Sequence, residues 1–213
     1  NNDKDPYLRH GGVFALAQID DMSALLAAAK DSSAAARMGV LLALRELRRP
    51  EVAMFLHDAD MRLVIEAARA INDAQIEAAQ PELASMLGSV TLPQPVILRA
   101  LNANFRLGGQ VNADRVAAFA ARGDAPESLR VEAIKFLKEW AKPRGIDEVV
   151  GIWRPYTPAT RDPAIAKNAA QPVLASIVTS GPDSVRLAGI DLESALGLED
   201  SGVLHDLVVN SAT

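Results

Sequence analysis

A chain of 213 residues that is 49% apolar but only 4% aromatic can bury a core, and its apolar mass is mostly Ala, Leu, Val and Ile. That is the composition of closely packed helices rather than twisted sheets. A formal net charge of -5 and a pI near 5.2 leave no overall basic footprint for a phosphate backbone, and the absence of cysteine excludes disulfides, thiolate nucleophiles, Cys-based zinc sites and haem attached through C-x-x-C-H.

Asn1 to Asp5 are too polar for a signal peptide, and no run of about 18 apolar residues could span a membrane. Lacking an initial Met, the chain reads as an excised piece of a longer protein. Asp5-Pro6 opens the first helix, with an N-cap Asp before Pro at the first helical position. Inside it lies an eight-residue segment starting at Arg9 (RHGGVFAL) that recurs at Arg37 (RMGVLLAL), Val64 (VIEAARAI), Leu98 (LRALNANF) and Arg130 (RVEAIKFL), the starts falling 28, 27, 34 and 32 residues apart. A looser sixth copy begins at Arg186 (RLAGIDLE), and the gap of 56 residues from Arg130 leaves room for one degenerate unit.

The fourth residue of most copies is small (Gly12, Val40, Ala67, Ala133, Gly189), so that another helix can approach closely there; Leu101 departs from this. The eighth is a large apolar residue (Leu16, Leu44, Ile71, Phe105, Leu137) expected to point into the layer between successive hairpins, with Glu193 the exception. Val64, Ala67, Ala68 and Ile71 keep the i, i+3, i+4, i+7 spacing of one apolar stripe, and Glu132, Lys135, Lys138, Glu139 and Lys142 form a charged opposite face with a Glu132/Lys135 pair. Shorter apolar stretches, Met22 to Lys30, Glu51 to His57, Ile76 to Leu87, Ala113 to Ala121 and Ile146 to Trp153, read as the first helices of helical hairpins. Asp162-Pro163 opens a further helix, and Gly88, Gly123 and Gly181 lie just past helix ends. The Pro-rich stretches Thr91 to Pro95 and Arg154 to Pro163 read as longer inter-helix loops. The expectation is one all-α domain over residues 1–213, an α-solenoid of about six hairpins stacked to share a core, with no linker.

Few residues invite chemistry. His10, His57 and His205 are isolated, and His57-Asp58-Ala59-Asp60 reads as a hairpin turn and an Asp N-cap rather than a metal site. Arg9, Arg37, Arg130 and Arg186 follow Asp5, Asp31, Asp124 and Asp183, as in an Asp/Arg ladder tying hairpins together. Asn72, Asn102 and Asn104 are unusual within helices, because their amides compete for backbone hydrogen bonds. They read either as donors to a loop carbonyl or as a polar contact surface edged by Arg106. Trp153 and Arg154 read as a core-closing pair or as an interface anchor. No nucleophile elbow, P-loop or G-x-G-x-x-G is present, so no catalytic residue, metal or cofactor is assigned.

The recurring segments resemble the second helix of short bacterial HEAT repeats, with variants of Asp-x-x-x-Arg-x-x-Ala-x-x-Ala-Leu over nearly the whole chain. Glu66 to Asp73 (EAARAIND), Leu101 to Gly108 (LNANFRLG) and Trp153-Arg154-Pro155 further resemble the HEAT segment of large bacterial membrane-bound or sorbosone-type dehydrogenases. In that family a β-propeller dehydrogenase module precedes the HEAT region and a c-type cytochrome follows it, outside the cytoplasm. The resemblance implies a non-catalytic, extracytoplasmic spacer or scaffold whose partners are proteins or neighbouring modules of the same chain. Asn72, Asn102, Asn104, Arg106, Trp153 and Arg154 are its candidate contacts. The rival from another class is a HEAT-like alkylpurine DNA glycosylase, with Trp140, Asp147, Trp153 and Arg154 at the lesion, against which the acidic pI weighs.

Overall fold

The computed structural model describes residues 5–88 and 91–198; His205 and Asn1 to Lys4 lie outside them. Among the described residues the chain is all-α, with no β-strand. It divides into two compact units, Asn1–Leu83 and Ala84–Thr213.

In the first unit α1 (Pro6–Ile19), α2 (Met22–Ala28), α3 (Ala34–Glu46) and α4 (Met61–Asp73) alternate with 3-10 turns at Pro50–His57 and Glu77–Ala79. Capping chemistry sets their starts: Asp5, Asp21, Ser33 and Asp60 each accept a backbone N–H of the first turn. The expected first helix at Glu51 to His57 forms as the tighter 3-10 turn. The helices carrying the recurring segment stack in order, α1 on α3 and α3 on α4, and the two 3-10 turns pack on each other in a second layer. Leu41, Leu44, Ala67, Ala68 and Ile71 are fully buried between them. At roughly 25 cal/mol per Å² of apolar surface, this shared layer is the main stabilising term.

α1 departs from expectation. Leu16, expected in the inter-hairpin layer, is 37% exposed, and Tyr7, Leu8, Phe14 and Ile19 are exposed too, leaving Ala17 as the one buried residue of the helix. α3 is the principal neighbour of α1, and α2 faces α1 only across an open cleft.

The second unit begins within α5 (Gln80–Ser85) and continues through a 3-10 turn at Met86–Gly88, α6 (Gln94–Leu107), α7 (Gln110–Ala121), α8 (Glu127–Lys138), α9 (Pro163–Ser180) and α10 (Asp183–Leu196). Gly108 ends α6 with a left-handed φ of 73°, and Asp162 accepts the Ala164 N–H to start α9. The hairpin α7/α8 packs on the hairpin α9/α10 like on like, α7 against α9 and α8 against α10. Within the second hairpin, Gly189 lets α10 approach α9 closely: a Cβ there would lie 2.7 Å from Ile177 Cγ2.

Two further expectations are corrected. Ile146 to Trp153 is not a helix: Gly145 and Gly151 take left-handed φ values of 75° and 69°, and the Asp147 carboxylate captures the N–H groups of Val149 and Val150 at 3.0 and 3.1 Å. The Asp/Arg ladder is mostly an arginine-to-carbonyl device. Arg130 donates to Ala120 O at 2.9 Å and Arg186 to Val178 O at 3.1 Å, satisfying carbonyls at the ends of α7 and α9. Arg37 donates to the carbonyls of Asp31 and Ser32 and pairs with Asp58 rather than the Asp31 carboxylate. Arg186 keeps a weak contact with Asp183 at 3.4 Å.

Candidate functional site

Five of the six residues singled out from the sequence, Asn102, Asn104, Arg106, Trp153 and Arg154, lie in the second unit, where α6 meets the loop joining α8 to α9. Asn72 belongs to the first unit, buried in α4, with its Nδ2 donating to Asp73 Oδ1 at 3.0 Å.

The loop is folded by its own backbone. Gly145 O accepts the Arg154 N–H at 2.8 Å, Ile152 O accepts the Asp147 N–H at 2.9 Å, and Asp147 O accepts the Gly151 N–H at 2.7 Å. A bracket results, with Ile146 bridged to Trp153 in antiparallel sense. At its base the Asp147 side chain is completely buried. Beyond the two backbone N–H groups on Oδ1, its Oδ2 accepts from Asn102 Nδ2 at 3.0 Å and Arg154 Nη1 at 3.1 Å, with Arg106 Nη1 at 4.0 Å. A buried carboxylate is tolerable only when paired and hydrogen-bonded, and this one has both. The network bolts the loop to α6 across 45 residues of sequence.

Asn104 performs a parallel task nearby, donating to Ala84 O at 2.9 Å and Ala100 O at 2.8 Å and accepting from Asn112 Nδ2 at 3.0 Å. Asn104 thus donates to carbonyls, but to those of α5 and of its own helix α6 rather than to the loop carbonyl expected. Asn72, Asn102 and Asn104 are all buried, so the alternative of an asparagine-lined contact surface does not match their position.

Beside the hub stands an aromatic box. Phe105 lies 4.6 Å from Phe136 and 5.4 Å from both Trp140 and Tyr156, between ring centroids. The Arg161 guanidinium sits over Phe105, Trp140 and Tyr156 at 5.2, 5.5 and 5.2 Å, and Arg106 over Tyr156 at 4.9 Å. Arg161 also donates to Arg106 O at 3.3 Å. Burial draws the Arg161 pKa below its ordinary value and pushes the Tyr156 hydroxyl up. Gly108 closes the box, since a side chain there would meet the Arg161 guanidinium at 2.7 Å.

Trp153, the residue expected to close the core, does the reverse. It is 71% exposed, its ring resting on Gly145, where a Cβ would approach it to 3.0 Å. Ile146 and Ile152, 41% and 47% exposed, extend the apolar patch on the bracket. Salt bridges brace it: Arg144 reaches Glu139 at 3.0 Å and Glu148 at 2.8 Å, and Lys135 reaches Glu148 at 2.7 Å. Exposed pairs of this kind are each worth little but help fix the loop on α8.

Of the residues assigned to a lesion-binding pocket, Trp140 and Asp147 are fully buried and Arg154 nearly so, leaving Trp153 alone on the surface. No group of three or more His, Asp or Glu that could hold a metal ion occurs among the described residues. His57 contacts Glu82 at 2.9 Å, and Asp58 and Asp60 serve the turn and the N-cap of α4 as expected. Sequence reasoning missed Gly145, Tyr156 and Arg161. Gly145 could have been found as a glycine followed by an apolar residue and Asp, a turn signal; Arg161, inside a Pro-rich loop, carries no local sign of its aromatic surroundings. Neither protein-family models nor curated proteins give a match to this chain.

Proposed function

We propose that this protein is a non-catalytic HEAT-type helical scaffold that binds a protein partner through the Trp153 platform, and that it serves as the HEAT module of a large extracytoplasmic dehydrogenase. The observation that carries the scaffold reading is Trp153 itself, a large apolar ring held in water on a loop whose base is fixed by the buried Asp147 network. Interface hot spots favour Trp, and a side chain already held in place loses little entropy on binding. The HEAT reading is supported by the like-on-like stacking of α7/α8 and α9/α10 and of α1, α3 and α4. The dehydrogenase reading is supported by two of its three motifs meeting: Asn102 in LNANFRLG and Arg154 in Trp153-Arg154-Pro155 grip the same carboxylate.

The test is a photo-crosslinking amino acid in place of Trp153, in the cells that make the protein, with the exposed Glu77 as control position. The expected result is one discrete adduct from position 153 and none from position 77. Identical adducts from both positions, or none from 153, would remove the platform reading. An adduct with a polypeptide carrying neither a β-propeller dehydrogenase module nor haem would keep the scaffold and remove the dehydrogenase assignment.

A further inference from the structure

Side chains alternate along the two arms of the bracket, and the alternation separates two faces. Ile146 and Trp153 are bridged in antiparallel sense by the flanking bonds Asp147 N–H to Ile152 O and Arg154 N–H to Gly145 O. They are therefore a pair that exchanges no hydrogen bond between its own members, with side chains close together on one face. Asp147 and Arg154, one residue further along each arm, turn to the opposite face and are buried, whereas Ile146 and Trp153 are exposed. The apolar pair is the outer face of a short ribbon, and the charged pair is its root.

In such a pair the main-chain N–H and C=O of each residue point away from the ribbon, one residue along each edge. Neither Ile146 nor Trp153 uses these groups in a hydrogen bond among the described residues. The two edges differ in what guards them. Two residues to either side of Ile146 stand Arg144 and Glu148, joined to each other at 2.8 Å, with Lys135 on Glu148 at 2.7 Å. Charged side chains along an edge are a common means of preventing further strand pairing. Two residues to either side of Trp153 stand Gly151 and Pro155, both exposed and uncharged. A Cβ on Gly151 would meet nothing within 4 Å, so the Trp153 edge is open.

We infer that the partner segment seated on Trp153 is an extended peptide that adds one antiparallel strand to this edge, an inference that rests on the Trp153 platform proposed above. What selects this occupant over a helix is the unpaired donor and acceptor of Trp153. An extended chain bonds to both at once, whereas the main-chain groups of a helix interior are already bonded within it. With a single open residue on the edge, the antiparallel sense is favoured, because one peptide residue then makes both bonds. The side chain of that residue lies beside the indole on the outer face. An aromatic or β-branched residue suits the place, since cross-strand pairs of that kind with an aromatic ring are favourable. Its neighbours two residues away pass Gly151, where no side chain obstructs, and Pro155, which has no N–H to offer. The Asp147 network already fixes the bracket, so little ordering of this side accompanies binding.

A phage-displayed library of random dodecapeptides, selected on the intact chain, supplies the probe. Counter-selection on Trp153→Ala, a change at an exposed position, retains the peptides that need the indole. The tightest of them is synthesised and N-methylated at one residue at a time. Methylating the residue opposite Trp153 should weaken binding by about fivefold or more, and methylating either adjacent residue, whose N–H faces away from the edge, should change it by less than about twofold. In the complex the Trp153 amide proton should exchange at least about tenfold more slowly than in the free chain. A Trp153-dependent peptide that shows no alternation in the N-methyl scan, or that binds as a helix, would overturn the strand inference and leave the platform standing. A library that yields no peptide dependent on Trp153 would overturn both.

Discussion

α1 and α4 are written in the same eight-residue pattern and bury it to opposite degrees. In α4, Val64 is 3% exposed and Ala67, Ala68 and Ile71 are 0% exposed; at the matching positions of α1, Val13 is only half-buried and Leu16 is 37% exposed. The cause is the number of neighbours. α4 has α3 on one side and the 3-10 turn Pro50–His57 on the other, whereas α1 has α3 alone as its principal contact. A helical stripe states which side of a helix is apolar; whether a second layer covers that side is decided by other parts of the chain or by another molecule.

The contrast can be broken most sharply at the eighth position. Leu137→Ala empties a site that is 0% exposed and is expected to cost about 2–5 kcal/mol, whereas Leu16→Ala should stay within about 0.5 kcal/mol of wild type. Urea unfolding at a concentration where the chain is monomeric measures both. Similar losses at the two positions would mean that α1 is packed as α8 is, and the distinction would fall.

The fourth position gives a smaller effect with a change of sign. Ala67→Leu forces a larger side chain into a filled layer, 0% exposed, and should cost on the order of 1–3 kcal/mol. Gly12→Leu should instead stabilise the monomer by up to about 1 kcal/mol through helix propensity alone. Gly189→Ala belongs with Ala67, because its Cβ would press on Ile177 at 2.7 Å. A Gly12→Leu monomer less stable than wild type would show that the face already has a neighbour.

What could be read from the sequence follows from the range of the forces involved. Helix type, the stripes of α4 and α8 and the Asp5-Pro6 and Asp162-Pro163 starts are local, fixed by periodicity and capping within a few residues, and they appear as expected. The stretch Ile146 to Trp153 was misread because its apolar residues suit a helix, while two left-handed glycines and the Asp147 carboxylate commit the backbone elsewhere. Asn102 stood out as a polar residue needing compensation, but its partner Asp147 lies 45 residues away, beyond the reach of any pattern. The ring of Trp153 turned out exposed for a similar reason: the burial of a bracket residue depends on what the loop is folded onto. Arg161 among Phe105, Trp140 and Tyr156 is the extreme case, a contact between α6 and separated points of the α8–α9 connection with no local trace.

The finest difference between α1 and α4 lies in their capping carboxylates. Asp5 accepts the Tyr7 N–H at 2.8 Å, and Asp60 accepts the Arg62 N–H at 2.9 Å while also pairing with the Arg62 guanidinium at 2.6 Å. That pairing, ahead of the backbone bond, holds Asp60 down to about 2 from the ordinary 3.8. A depressed carboxyl stabilises the folded state at all pH values above its unfolded pKa, and the contribution is lost as pH falls through the folded one. Asp60 should therefore remain charged and keep capping α4 below the pH at which an ordinary carboxylate has protonated, a window from about 3.8 down to about 2. Carbon-13 titration of the side-chain carboxyls reads this directly, and Arg62→Gln should move the Asp60 midpoint up toward 3.8. If the midpoint stayed near 2 in that variant, the backbone N–H rather than the guanidinium would be the dominant cause of the depression.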